Sequence, residues 1–159
     1  MKQVFVFAAV VFVAFTNCKT QTAAGDSTSP GTASSVAMNP YGKLFTGDGV
    51  TVEMAMFADK NSDGLNDVLL KMTGADVFNA GLDGKVIRYV ARPGGTGVDF
   101  VTQVDGQDYV RMLSRQSWGS WTFFEVYLGG KPAHVELDEK RSAEVKPAAL
   151  LAEFNASKK

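Results

Sequence analysis

Two runs of alternating apolar and polar residues, separated by a short polar stretch, set the strongest limit on this fold. Val50, Val52, Met54, Met56 and Ala58 alternate with Thr51, Glu53 and Ala55, and further on Val68, Leu70 and Met72 alternate with Lys71 and Thr73. A period of two sends successive side chains to opposite faces of a strand, so both runs are predicted strands with one buried face. A connection this short joins them as an antiparallel pair.

The same pattern continues along the chain. Lys43–Thr46 is a short first strand, and Gly47-Asp48-Gly49 turns into the second. Asp83-Gly84 leads into Lys85–Arg92, which Pro93-Gly94-Gly95 breaks. Val98, Phe100 and Val104 mark another strand, and Asp105-Gly106 is a two-residue hairpin signal, because both central residues of that turn take positive φ. Tyr109–Arg115 returns, Ser120–Leu128 is rich in strand-favouring aromatics, and Gly129-Gly130 precedes Ala133, Val135 and Leu137 alternating with His134, Glu136 and Asp138. The expected fold is all-β, an antiparallel meander forming a sandwich or small barrel of seven to eight strands. Pro147–Ala156 reads as a short C-terminal helix with proline at its first position and Leu150, Leu151 and Phe154 on one face; it packs on the sheet or covers an edge. Ala75–Gly81 receives no assignment.

The polar stretch itself reads Asp59-Lys60-Asn61-Ser62-Asp63-Gly64-Leu65-Asn66-Asp67. Oxygen-bearing side chains fall at its first, third, fifth and ninth positions, with glycine at the sixth, which is the spacing of a calcium loop. Calcium takes six to eight oxygen ligands, and a short loop supplies them by offering alternate residues around the ion. Asp59, Asn61 and Asp63 are those alternate residues, Leu65 offers its main-chain carbonyl, and Asp67 contributes directly or through water. Three carboxylates this close repel one another without a cation. The plainer reading is a polar turn, since Asp, Asn and Gly favour turns on their own account. The twelfth position carries Leu70, where helix-flanked calcium loops place a bidentate glutamate.

Strand-loop-strand at this spacing resembles the calcium loops of FG-GAP and VCBS-type repeats, which use the first, third, fifth, seventh and ninth positions. The resemblance covers Val50–Thr73 and occurs once, so it implies no propeller. Carried over residue by residue, it implies Asp59, Asn61, Asp63, Leu65 and Asp67 as Ca2+ ligands. A set without the twelfth ligand is expected to bind with a Kd on the order of 10⁻⁴–10⁻³ M, as extracellular modules do. Asp76 is a further candidate ligand.

Lys2 followed by the uncharged run Val4–Phe15 has the form of a secretory signal peptide, too short to span a bilayer. Cys18 is the single cysteine, so no internal disulfide forms. Phe15-Thr16-Asn17-Cys18 resembles the relaxed lipobox of spirochaete-type bacterial lipoproteins, which implies cleavage before Cys18 and its acylation, and hence a membrane partner through an N-terminal lipid anchor. Residues 19–39 hold Thr, Ser, Ala, Gly and Pro with no aromatic residue, and read as a flexible tether. The expected organisation is a signal peptide over 1–17, a lipidated cysteine and tether over 18–39, and a β domain over 40–159. Export across the inner membrane to the cell envelope follows, at the outer membrane or cell surface. Cleavage removes Lys2 alone among charged residues, which moves the formal charge from −1 to −2. Without a basic face, no nucleic-acid partner is expected.

Arg115, Trp118, Trp121, Phe123 and Tyr127 cluster around one turn. Aromatic rings with polar tips suit a carbohydrate or protein ligand, so Trp118, Trp121 and Arg115 are candidate ligand-binding residues. The alternative is burial of both strand faces, between sheet and C-terminal helix. His134, the only histidine, points to solvent by strand alternation. No serine sits in a nucleophile-elbow motif, and Glu125 with Glu136 is the sort of carboxylate pair that a sheet surface produces often. The expectation is a calcium-binding structural or ligand-binding module without catalysis. A calcium-stabilised carbohydrate hydrolase and a calcium-dependent adhesin are the alternatives.

Overall fold

The computed structural model describes residues 36–74, 82–95, 97–104, 106–117, 120–128 and 131–158, with the side chains at 104, 107, 109–117, 120–128 and 131–132 outside that description. Eight strands follow one another in chain order: β1 (Lys43–Gly47), β2 (Val50–Lys60), β3 (Asn66–Thr73), β4 (Val86–Pro93), β5 (Gly97–Val104), β6 (Gln107–Ser117), β7 (Ser120–Leu128) and β8 (Lys131–Leu137). Each pairs antiparallel with the next, and β1 pairs with β8 through Phe45–Leu137 and Thr46–Glu136, which closes a barrel. Of the two expected architectures, the barrel is the one found. Closure removes both sheet edges, so no edge remains for a helix to cover.

The barrel is filled from β1 to β5 and β8 by Phe45, Val52, Met54, Val68, Leu70, Tyr89, Phe100 and Val135, all at most 1% exposed. Eight strands leave an interior that side chains can fill. Leu70 therefore stands on the core face, as the alternation demands. On β2–β4 Glu53, Asp67, Lys71 and Arg88 take outward positions, between outward apolar residues that a helix covers.

A second apolar cluster lies outside the barrel wall: Leu44, Ala55, Phe57, Leu69, Val86, Val145 and Leu150. Helix α2 (Pro147–Ala156) supplies its lid, with Leu150 buried and Leu151 and Phe154 packed beside it. Ala55 is fully buried on the face expected to be polar, because α2 covers that wall. Helix α2 packs on β2, β3 and β4, and Lys71 on β3 pairs with its Glu153 at 2.9 Å. The helix thus serves the wall around β3 rather than the aromatic strand β7. A one-turn helix α1 (Glu139–Ser142) precedes it, capped by Asp138, whose side chain accepts the Arg141 N–H at 3.0 Å.

The alternation on β2 fails after Met56. The register with β3 shifts between Met56 and Lys60; Phe57 keeps the outer side it shares with Ala55, while Ala58, expected on the core face, is exposed. Such a bulge inserts extra backbone and re-aims the side chains beyond it. Asn66 satisfies the bulged strand by donating from Nδ2 to the carbonyls of Phe57 (3.0 Å) and Ala58 (3.2 Å).

Candidate functional site

The nine-residue polar stretch is part strand and part turn. Asp59 and Lys60 end β2, Asn66 and Asp67 begin β3, and only Asn61–Leu65 forms the turn. Strands flank it on both sides, as the alternation predicts. Asn61 builds the turn. Its Oδ1 accepts the N–H groups of Asp63 (3.0 Å) and Leu65 (3.1 Å), its own N–H donates to the Leu65 carbonyl (2.7 Å), and its carbonyl accepts the Gly64 N–H (3.0 Å). Gly64 sits at φ +73°, which a residue with a Cβ resists.

Asp67 is the second centre. It lies on the outer face of β3, yet its side chain is only 7% exposed. Oδ2 accepts from Arg88 Nη2 at 2.7 Å, and Oδ1 accepts from Asn61 Nδ2 at 2.8 Å and from the Ala91 N–H at 3.2 Å. The other Asn61 Nδ2 hydrogen reaches the Ala91 carbonyl at 2.7 Å. The guanidinium carbon of Arg88 lies 4.8 Å from the centre of the Phe57 ring. Burial alone would push the Asp67 carboxyl up. The hydrogen bonds from Arg88, Asn61 and Ala91, together with the Arg88 charge, overcome that and hold it below the usual aspartate value.

This geometry bears directly on the expected calcium ligands. Asp59, Asn61 and Asp67 do line one cavity of about 200 Å³, together with Val36, Phe57, Lys60 and Arg88. Asp63 and Leu65 are not part of that lining. Asn61 Oδ1 is turned into the loop, the Leu65 carbonyl accepts a main-chain N–H, and both Asp67 oxygens face protein donors. Arg88 already supplies the positive charge beside Asp67. Among the described residues no three Asp, Glu, His or Cys side chains are grouped to hold a metal ion. Asn61 Oδ1 and both Asp67 oxygens are thus engaged by protein donors.

A second cavity, of about 250 Å³, opens on the other side of the same loop and is lined by Met56, Lys60, Gly64, Leu65, Asn66, Val98 and Phe100. Lys60 borders both cavities. Sequence reasoning missed Lys60, Arg88 and Val98 as site residues. Arg88 sits 21 residues from its partner, and only the β3–β4 register, with Leu69 opposite Arg88, brings them together.

Several expected sites lie outside the described residues: Cys18, residues 19–35 of the tether, Asp76 and Trp118; the end of the expected tether is described and is ordered against β2, where Met38 bridges Phe57 and the Asn39 N–H donates to the Met56 carbonyl at 2.8 Å. Arg115 and Trp121 are placed by backbone alone, Arg115 opposite Gly97 and Phe123, and Trp121 opposite Gln116. Glu125 stands opposite His134 and Glu136 opposite Phe123, so these two carboxylates are not direct cross-strand neighbours. His134 is exposed, as expected, and its N–H donates to Asp48 Oδ2 at 2.7 Å.

The fold and this loop define a class: a small closed meander barrel with a helix on its outer wall and a charged loop at one rim. Comparison with protein families, curated proteins and solved structures finds no match to the chain.

Proposed function

We propose that this chain is an exported, lipid-anchored cell-envelope protein whose barrel is a binding module rather than an enzyme. The observation that carries the binding part is the loop rim: two cavities meet at Lys60, one ionic and one apolar. The export part rests on the apolar N-terminal run, Cys18 and the polar tether. Growth of the producing cell in labelled palmitate tests the anchor. Label on the wild type and none on Cys18→Ser supports it; an unlabelled wild type overturns it.

Calcium at the loop is a second reading, favoured by Asp59, Asn61 and Asp67 lining one cavity. Arg88 already holds Asp67 Oδ2 at 2.7 Å, so the guanidinium and the cation compete for this carboxylate. Calorimetric titration with calcium reads this directly. A wild-type Kd near or below 1 mM, tightened by Arg88→Met and lost in Asp67→Ala, supports it. Absence of calcium heat in both the wild type and Arg88→Met ends it.

A further inference from the structure

We propose that the apolar cavity at the loop rim is a site for a short-chain carboxylic amphiphile, its tail in the barrel mouth and its carboxylate at Lys60. This inference names the ligand class of the binding module proposed above and rests on that reading.

At the loop rim the core residues are partly open. Phe100 is 1% exposed, whereas Met56, Leu65 and Val98, which pack against the same core, are only partly buried. Their apolar surfaces face the cavity of about 250 Å³. Apolar surface left at a concave mouth gains most from a guest that removes it from water. At roughly 30 Å³ for each water-sized group, the volume admits about eight of them. That is a six- to eight-carbon tail, not a membrane-length acyl chain.

The head group follows from charge. Among the described residues two cations border the loop cavities, Lys60 and Arg88. Arg88 is committed to Asp67 at 2.7 Å. Lys60 is exposed, and among the described residues no ion pair holds it. The Asn66 amide hydrogens are directed to Phe57 and Ala58, and the Gly64 N–H to Asn61, so they are engaged within the bulge and turn. Among the described residues Lys60 is therefore the uncommitted cation at this mouth, and an ammonium beside an apolar slot selects an anion on an apolar tail.

The test is calorimetric titration of the full chain with butanoate, hexanoate, octanoate and dodecanoate, and with octanol and octyltrimethylammonium as head-group controls. Each methylene that enters the cavity is expected to tighten binding about fourfold, and the gain stops near eight carbons. Octanoate binds more tightly than octanol, and the trimethylammonium compound binds least. Lys60→Glu, an exposed change that leaves the fold intact, weakens octanoate roughly threefold or more and leaves octanol unchanged. Val98→Trp abolishes binding of all three by filling the cavity. Absence of saturable octanoate binding overturns the site. Equal affinity for all three head groups, or octanoate binding indifferent to Lys60→Glu, overturns the assigned ligand class. Palmitate labelling at Cys18 is read separately, so failure of the ligand and failure of the anchor are told apart.

Discussion

Removing the Arg88 guanidinium should cost more than its exposure suggests. The Arg88 side chain is 51% exposed and its partner Asp67 is 7% exposed. Solvent can take over for the arginine if Asp67 is lost, but it cannot reach Asp67 if the arginine is lost. In Arg88→Met, a buried carboxylate keeps Asn61 and Ala91 as donors and loses the guanidinium that pairs with it. A charge-assisted hydrogen bond contributes about 1.5–3 kcal/mol, and the half-exposed arginine places the value toward the lower end. Loss of the contact over Phe57 adds about 0.5 kcal/mol. The expected cost of Arg88→Met is therefore about 2 kcal/mol at pH 7.

Urea denaturation of the wild type, Arg88→Met, Asp67→Asn and the double variant closes a cycle around the pair. The coupling should be about 1 kcal/mol or more, since the two groups share one network. The pH dependence gives an independent reading. The folded carboxyl of Asp67 sits below its ordinary value, near 3.9 in the unfolded chain, so its contribution is full above that value and is lost as the pH falls through the folded one. Arg88→Met removes part of that depression, so its stability should depend less on pH between neutrality and the acid limb. Additive single variants with coincident acid limbs would refute the argument that Arg88 neutralises the buried carboxylate.

Tyr89 is fully buried inside the barrel and its hydroxyl has no hydrogen-bond partner among the described residues, so Tyr89→Phe should leave stability in urea unchanged or raise it by up to about 1 kcal/mol. Burial pushes the Tyr89 phenol well above its ordinary value near 10; above that pH the unfolded chain releases a proton that the folded chain keeps, so wild-type stability falls by up to about 1.4 kcal/mol per pH unit more than that of Tyr89→Phe. A Cβ on Gly47 would land on the His134 carbonyl oxygen across the closing β1–β8 seam, so Gly47→Ala should cost about 2 kcal/mol or more in thermal unfolding. Gly84→Ala meets no atom and bears only the positive-φ penalty of about 1–2 kcal/mol, which makes it the control. Leu150→Ala opens a hole between α2 and the barrel wall and should cost about 2–4 kcal/mol in the same assay.

The features legible in the chain were those whose physics is local. Asp48-Gly49 forms the β1–β2 turn with φ of 48° and 75°, the two positive values that such a turn requires. Pro147 starts α2 and the helix runs to Ala156, because proline needs no donor at a first turn and Leu150, Leu151 and Phe154 share a stripe. The alternation of β2 and β3 placed Leu70, Val68 and Met72 inside. What the pattern could not carry was anything decided by distant backbone. Phe45 pairs with Leu137 across 92 positions, and that pairing separates a barrel from a sandwich. Ala55 and Leu69 gain their burial from a helix that arrives some 80 residues later. The loop shows the same division. Gly64 and Asn61 carry local turn chemistry, and the structure uses them for it. Acidic spacing alone cannot say whether the charge beside Asp67 is neutralised by an ion from solution or by an arginine from the next strand, because both answers satisfy the same carboxylate. Here the register of β3 against β4 places Arg88 at that oxygen, so a dication bound there would share or compete for a carboxylate that a guanidinium already holds. Its apparent affinity then falls with the strength of the internal pair, and the calcium and Arg88→Met experiments measure one free energy from two sides.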